Sequence, residues 1–173
     1  MAANTRKVDE FVPTVIDIEA SGFGRGSYPI EVGIAMPDGQ AHCYLIRPQS
    51  DWTHWDVEAE GLHHISQDTL RSHGKDVRLV AQRLNQLLAN QTIYSDGWAH
   101  DTSWLGLLFE SAGISQHFKI DHIACLFSQD QVAIWEQERL QVMQELGINR
   151  HRASADARIV QMTYLKTRLR NLN

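Results

Sequence analysis

Apolar residues alternate with others along the early part of the chain and recur every three or four positions further on. Residues 12–19, then Ile30, Val32, Ile34 and Met36, then residues 43–47 read as three strands, parted by Gly/Ser/Pro-rich stretches and by Pro37-Asp38-Gly39 as in an antiparallel meander. Helical spacing follows. Val77, Val80, Leu84, Leu87 and Leu88 share one helix face, and Thr92 to Ser95 reads as a further strand running into a loop at Asp96-Gly97. Residues 102–112 carry Trp104, Leu105, Leu108 and Ala112 on a helix ending at Gly113, and a short strand is expected around Phe118–Ile120. Residues 130–146 read as a helix stopped by Gly147, and Ala155, Ile159, Met162, Leu165 and Leu169 lie on one side of a last helix. No repeat, low-complexity tract or linker breaks the pattern, so one domain over residues 1–173 is expected, with a flexible stretch at 1–10.

The first strand ends unusually: Thr14-Val15-Ile16-Asp17-Ile18-Glu19-Ala20-Ser21-Gly22 places two acids in an otherwise apolar run. Successive strand residues point to opposite faces at about 3.3 Å per residue, so Asp17 and Glu19 share a face, roughly 6.6 Å apart at the backbone. Two carboxylates on a rigid strand with no adjacent base are unfavourable unless a positive charge answers them. A hard divalent cation with oxygen ligands does so best.

Composition narrows the partners. A chain of 173 residues, 43% hydrophobic and 21% charged, suffices for one sizeable core. Its formal charge of -5, from 21 acids against 16 bases, argues against a basic coat for long nucleic acid, which depends on phosphate neutralisation, while short or end-on contact stays open. Cys43 and Cys125 lack C-x-x-C spacing, which indicates neither zinc nor a disulfide framework and suits a reducing cytoplasm. Residues 1–10 are polar without the apolar centre of a signal peptide, and no apolar run is long enough to span a bilayer, so a cytoplasmic location without membrane contact is expected.

Two further acids are placed to join the first pair. Asp101 opens the helix after the fourth strand, and Asp156 lies in the first turn of the last helix behind His151-Arg152-Ala153-Ser154. Each has a plain alternative, since helix starts favour acids through the macrodipole and Asp101 or Ser154 also reads as a cap. Five residues of helix turn a side chain by about 140°, so His151 meets Asp156 only from the preceding loop.

Taken together, Asp17-Ile18-Glu19-Ala20-Ser21-Gly22, Asp101 with Trp104-Leu105, and His151-Arg152-Ala153-Ser154-Ala155-Asp156-Ala157 resemble the three motifs of the DEDDh-type 3′–5′ exonucleases, within the ribonuclease H-like superfamily. The third motif, H-x-A-x-x-D-A at a helix start, is the most specific. The segment 54–65, with Glu60-Gly61-Leu62-His63-His64-Ile65, also resembles the stretch the family places after its third strand. The resemblance implies an α/β ribonuclease H-like fold with a mixed five-stranded sheet flanked by helices. It implies Asp17, Glu19, Asp101 and Asp156 as ligands of two Mg²⁺ or Mn²⁺ ions, His151 as general base, and release of nucleoside 5′-monophosphates from the 3′ end of single-stranded DNA or RNA. Asp96 and Gly97 stand where many relatives place a His-Asn pair, and Ala20 where a threonine is frequent; Asp96-Gly97 reads first as a turn, with Asp96 as a fifth acid near the site the alternative.

Phosphodiester hydrolysis must activate water and stabilise charge on the attacking and leaving oxygens, which two divalent ions about 3.5–4 Å apart do together. An imidazole of reference pKa about 6.5 suits the proton transfer assigned to His151. Ala20, Ser21, Gly22 and Phe23 follow the acids and are expected to meet the terminal nucleotide, Phe23 by stacking or else by folding onto the core. Arg150 and Arg152 are placed to steady phosphates or are solvated, and Trp52 and Trp55 are expected to pack.

Other clusters carry less. The glycine spacing of Gly22-Phe23-Gly24-Arg25-Gly26 is wrong for a dinucleotide loop, and a strand follows where that fold needs a helix. His54, His63, His64 and His73 lack the spacing of a zinc site and read as solvated loop residues. A binding module that has lost hydrolysis is the alternative function, against which stand the five filled positions. The apolar helix at 102–112 offers a face for a homodimer.

Overall fold

The computed structural model describes residues 11–148 and 151–170. The stretch 1–10, expected to be flexible, and Arg150 lie outside the described residues. Three antiparallel strands come first: β1 (Val15–Ala20), β2 (Pro29–Ala35) and β3 (Ala41–Leu45). The helices α1 (Val57–His63), α2 (Gln67–His73) and α3 (Val77–Leu88) follow, then β4 (Thr92–Ser95), α4 (Trp98–Ala112) and β5 (Lys119–His122). A short 3₁₀ turn at Ile123–Leu126 leads to α5 (Gln129–Leu146) and α6 (Ala153–Arg170). The strands order as β3-β2-β1-β4-β5, with β4 parallel to β1 and β5 parallel to β4. This is the mixed five-stranded α/β sheet with flanking helices that the sequence leads one to expect.

Helices cover both faces of the sheet. Ile16, Ile18, Val32 and Ile34 pack against Val80, Leu84 and Leu88 of α3 and Trp104, Leu105 and Leu108 of α4. On the other face Val15 and Ala35 meet Ala157, Val160 and Tyr164 of α6, with Trp135 of α5 behind them. β2 is therefore buried at every position, not only at its alternating isoleucines and valine. The apolar face of α4 offered for a dimer is already taken by this core, because Leu105, Leu108, Phe109 and Ala112 are all buried. No helix among the described residues is long and apolar enough to cross a membrane.

Local chemistry sets the ends of the elements. Gly113 and Gly147 adopt φ of 63° and 58° and close α4 and α5, as their positions suggest. Ser128 and Gln131 form a reciprocal capping box at the start of α5. α4 begins at Trp98, a turn earlier than its apolar spacing shows, so Asp101 is a residue of its first turn and not its cap. α6 differs most from expectation. Its buried side runs through Ala153, Asp156, Ala157, Val160, Tyr164 and Thr167, while Leu169 is exposed. Polar residues occupy that face because they have partners there: the Gln161 amide donates to the carbonyls of Pro13, Ala35 and Met36, and Thr167 accepts from Gln131.

The approach of α6 to β2 needs a glycine. A Cβ at Gly33 would lie 2.0 Å from both the carbonyl carbon of Ala153 and the nitrogen of Ser154. Gly33→Ala is expected to destabilise the protein by about 1–3 kcal/mol, as overpacking does. Gly106→Ala, where a Cβ meets nothing within 4 Å, is expected to be neutral or stabilising by up to about 1 kcal/mol. Urea denaturation of the two variants checks the contrast.

Candidate active site

β1 and β4 part company where the site lies. They pair at Val15 and Tyr94, and further along β1 the backbone N–H of Ile18 bonds the Asp101 carboxylate. Open α/β sheets form crevices where neighbouring strands lead off in opposite directions, and β1 stands at such a point between β2 and β4. A cleft of about 340 Å³ occupies it, lined by Asp17, Glu19, Asp101, His151 and Asp156 together. Elements far apart in sequence thus bring the five expected residues to one place. Ala20, Gly22 and Phe23 also line the cleft.

Each carboxylate is held by its own element. Asp17 and Glu19 leave β1 on the α6 side of the sheet, since Ile16 and Ile18 occupy the opposite face. Asp101 is 2% exposed and accepts from the Ser95 hydroxyl at the end of β4 as well as from Ile18. His151 has φ of 68°, a left-handed conformation that only a few non-glycine residues take, and its backbone N–H donates to Oδ2 of Asp156 at 2.7 Å. The chain turns there, so the imidazole and the Asp156 carboxylate meet although five residues separate them. Ligand atoms of Glu19, His151 and Asp156 come within 4.8 Å of one another. This trio differs from the expected set of four acids in including the histidine, and Asp17 and Asp101 line the same cleft.

The loop bearing His151 is anchored from β2. Glu31, fully buried, accepts from Nε of Arg152 at 3.1 Å to each carboxylate oxygen and from the backbone N–H of Ala153 at 2.9 Å. Burial alone would raise the Glu31 carboxyl, but the bonds from Arg152, Ala153 and Cys43 outweigh it and lower its pKa. Arg152, expected to steady phosphates or to be solvated, has its guanidinium bonded to Glu31 and is not among the residues that line the cleft. The side chain of Ser21, a residue expected to meet the terminal nucleotide, is engaged elsewhere as well. It is buried, bonded through its hydroxyl to His54 Nδ1 at 3.0 Å and to the Tyr28 N–H, and it braces the loop after β1 instead of facing the cleft. Gly22 beside it has φ of 135°, and a Cβ there would lie 2.5 Å from Cβ of Asp56.

Several lining residues lie outside the expected set. His63, read as a solvated loop histidine, ends α1 with 2% exposure and faces the cleft. Its Nδ1 accepts from the Ile65 N–H, and burial lowers its pKa. The left-handed cap at His64, φ 55°, turns His63 inward, and no apolar periodicity signals so short a helix. His100 stacks on Trp104 at 5.5 Å and meets the exposed ring of Phe23 at 5.1 Å, forming an aromatic wall. Asp96, read first as a turn residue, lines the cleft and pairs with Arg139 of α5 at 3.0 Å. Trp52 and Trp55 pack as expected, Trp52 stacked on Tyr28 and Trp55 bonded to Glu60.

Like charge dominates the electrostatics. Burial, then Asp101, Glu19, Asp156 and Asp96, push the Asp17 carboxyl well above the usual carboxylate range. Burial raises Asp101 to about 7, helped by Asp96 and Glu19 and opposed by the bonds from Ser95 and Ile18. A mainly carboxylate donor set with one imidazole fits a hard divalent cation, whose charge would oppose both shifts.

No family model and no curated protein sequence matches this chain. Solved structures do. A zinc-bound complex of Escherichia coli exonuclease I with single-stranded DNA superposes with a TM-score of 0.65 at 13% identity, covering 92% of this chain and 41% of that one. Product-bound exonuclease I gives 0.67 at 14% identity, over 92% and 44% of the two chains. The moderately thermophilic exonuclease I of Methylocaldum szegediense gives 0.69 at 13% identity, over 92% and 41%. The fold is the ribonuclease H-like α/β fold that these exonucleases contain, and the chain spans about two-fifths of their length.

The raised carboxyls fix a pH dependence. Between its unfolded pKa near 4 and its folded pKa of about 7, Asp101 holds a proton in the native state that the unfolded chain has lost. The stability this contributes is full below the lower value and is lost as pH rises through the upper, and Asp17 acts in the same direction. Metal-free protein is expected to melt at lower temperature at about pH 8 than at about pH 5.5, with Mg²⁺ restoring more at the higher pH. Asp101→Asn is expected to flatten both trends; calorimetric scans across pH, with and without Mg²⁺, check it.

Proposed function

We propose that this chain is a metal-dependent 3′–5′ exonuclease of the DEDDh type. It removes nucleoside 5′-monophosphates from the 3′ end of short single-stranded nucleic acid. The observation that carries the reading is the convergence of Asp17, Glu19, Asp101, Asp156 and His151 on one cleft at the open end of β1. The shared fold with exonuclease I, known in complex with a dT13 oligonucleotide, supports single-stranded DNA as substrate class.

Asp17, Glu19, Asp101 and Asp156 would hold the metal in this reading. Two divalent ions, when bound, stabilise charge on the attacking and leaving oxygens of an in-line displacement. His151, fixed on its left-handed turn by Asp156, accepts the proton of the attacking water. Phe23, His100 and Trp104 offer the terminal base an aromatic surface on one wall, which favours an unpaired end because only an unstacked base presents its face. Gly22 and Ala20 let the sugar approach the backbone after β1.

A 3′-labelled oligonucleotide incubated with the chain and Mn²⁺ is expected to lose mononucleotides. Asp17→Ala should reduce release to background, and His151→Ala should slow it by about 10²–10⁴-fold. Undiminished release by Asp17→Ala would refute the reading, and comparison of DNA with RNA in the same assay sets the sugar preference.

A further inference from the structure

We infer that Arg139 is a phosphate-binding residue, gripping the substrate strand by the backbone phosphate next to the one that is cut. The inference deepens the nuclease reading above and rests on it. Arg139 reaches the cleft from α5, and its Nη1 lies 3.0 Å from Oδ2 of Asp96, with the two side chains 19% and 22% exposed. Among the described residues it is the only permanently cationic side chain lining a cleft that also presents Asp17, Glu19, Asp96, Asp101 and Asp156. Arg152, the other arginine near the acids, is bound to Glu31 and does not line the cleft.

A guanidinium carries five N–H donors in a planar fork, and the contact with Asp96 engages Nη1. Donors remain for a second anion. Asp96 holds the long side chain in place, so little rotamer freedom is lost when a phosphate arrives, and the fork matches phosphate oxygens in a bidentate manner. The scissile phosphate shares its charge with the ions held by the acids. A strand of three or more nucleotides brings a further phosphate that no ion answers, and a fixed cation at the cleft wall answers it. Substrate length is then sensed through binding.

The test uses the full chain in calcium and reads binding without turnover, by fluorescence anisotropy of 5′-labelled thymidine dinucleotide and pentanucleotide across a series of salt concentrations. Arg139→Gln is expected to weaken the pentanucleotide about tenfold and to reduce the slope of log K against log salt by about 0.7, the share of one single-strand phosphate contact. The dinucleotide should change less than about twofold. Arg139→Lys should keep the slope while recovering only part of the affinity, because it retains the charge and loses the fork. A purely structural tie between α5 and Asp96 would move the melting temperature and leave the salt slope alone. An unchanged pentanucleotide affinity and slope, an equal loss on both lengths, or a wild-type chain that binds neither oligonucleotide overturns the inference. Wild-type protein that releases no mononucleotide yet shows the Arg139-dependent slope sinks the nuclease reading and keeps Arg139 as a contact to a strand phosphate.

Discussion

Gathering several carboxylates into one half-buried cleft is unfavourable by itself, and much of the surrounding structure serves to hold them there. Asp17 and Asp101 feel both desolvation and one another, and each remains in place because its backbone has no freedom to withdraw. β1 is the middle strand of the sheet, with Ile16 and Ile18 locked into the core under α3 and α4. Asp101 is tied by Ser95 and by the Ile18 N–H of β1. Rigid hydrophobic packing on one face of the sheet therefore stabilises charge crowding on the other. Under the proposed reading such a site would be prepared for a cation before the cation arrives, the arrangement that makes electrostatic complementarity effective.

The last helix is positioned by equally local means. Gly33 lets its first turn touch β2, and Glu31 two residues earlier takes the Ala153 N–H together with the Arg152 guanidinium. These contacts fix the end of the loop that carries His151, while Asp156 binds the His151 N–H from within the helix. A shift of about 1 Å at this junction would move the imidazole and the carboxylate together, relative to acids fixed on β1. Arg152 acts on the site through Glu31 and the loop, which explains why its position beside His151 in sequence does not place it in the cleft.

The sheet and the five central residues were legible because each depends on a strong local signal or on a spaced motif. Alternating Ile30, Val32 and Ile34, the Gly113 and Gly147 stops, and the H-x-A-x-x-D-A arrangement all survive into the structure. The misses share a cause. α1 and α2 are seven residues each, too short for a periodicity to show, and their starts are marked only by Asp56 and Ser66 caps. The inward face of α6 includes Gln161, Thr163 and Thr167, which a search for apolar spacing passes over although each is buried and bonded. Arg139 and His63 reach the cleft through tertiary packing alone, and nothing in their neighbouring residues announces it.

The distribution of charge also bears on how a polyanion would be received. The chain carries a formal charge of -5, and its cleft concentrates acids, so the bare protein repels phosphate. Under the proposed reading, attraction is supplied by divalent ions and by a single fixed arginine. Both act at short range and near one strand end, since charges separated by more than about 8–10 Å are screened at ordinary ionic strength. Among the described residues that line the cleft only one arginine is there to answer the many phosphates of a long duplex, whereas a free single-stranded end brings its few phosphates to the ions at once. Preference for an end would then come from where positive charge can be assembled, with the aromatic wall of Phe23, His100 and Trp104 adding contact for an unstacked base.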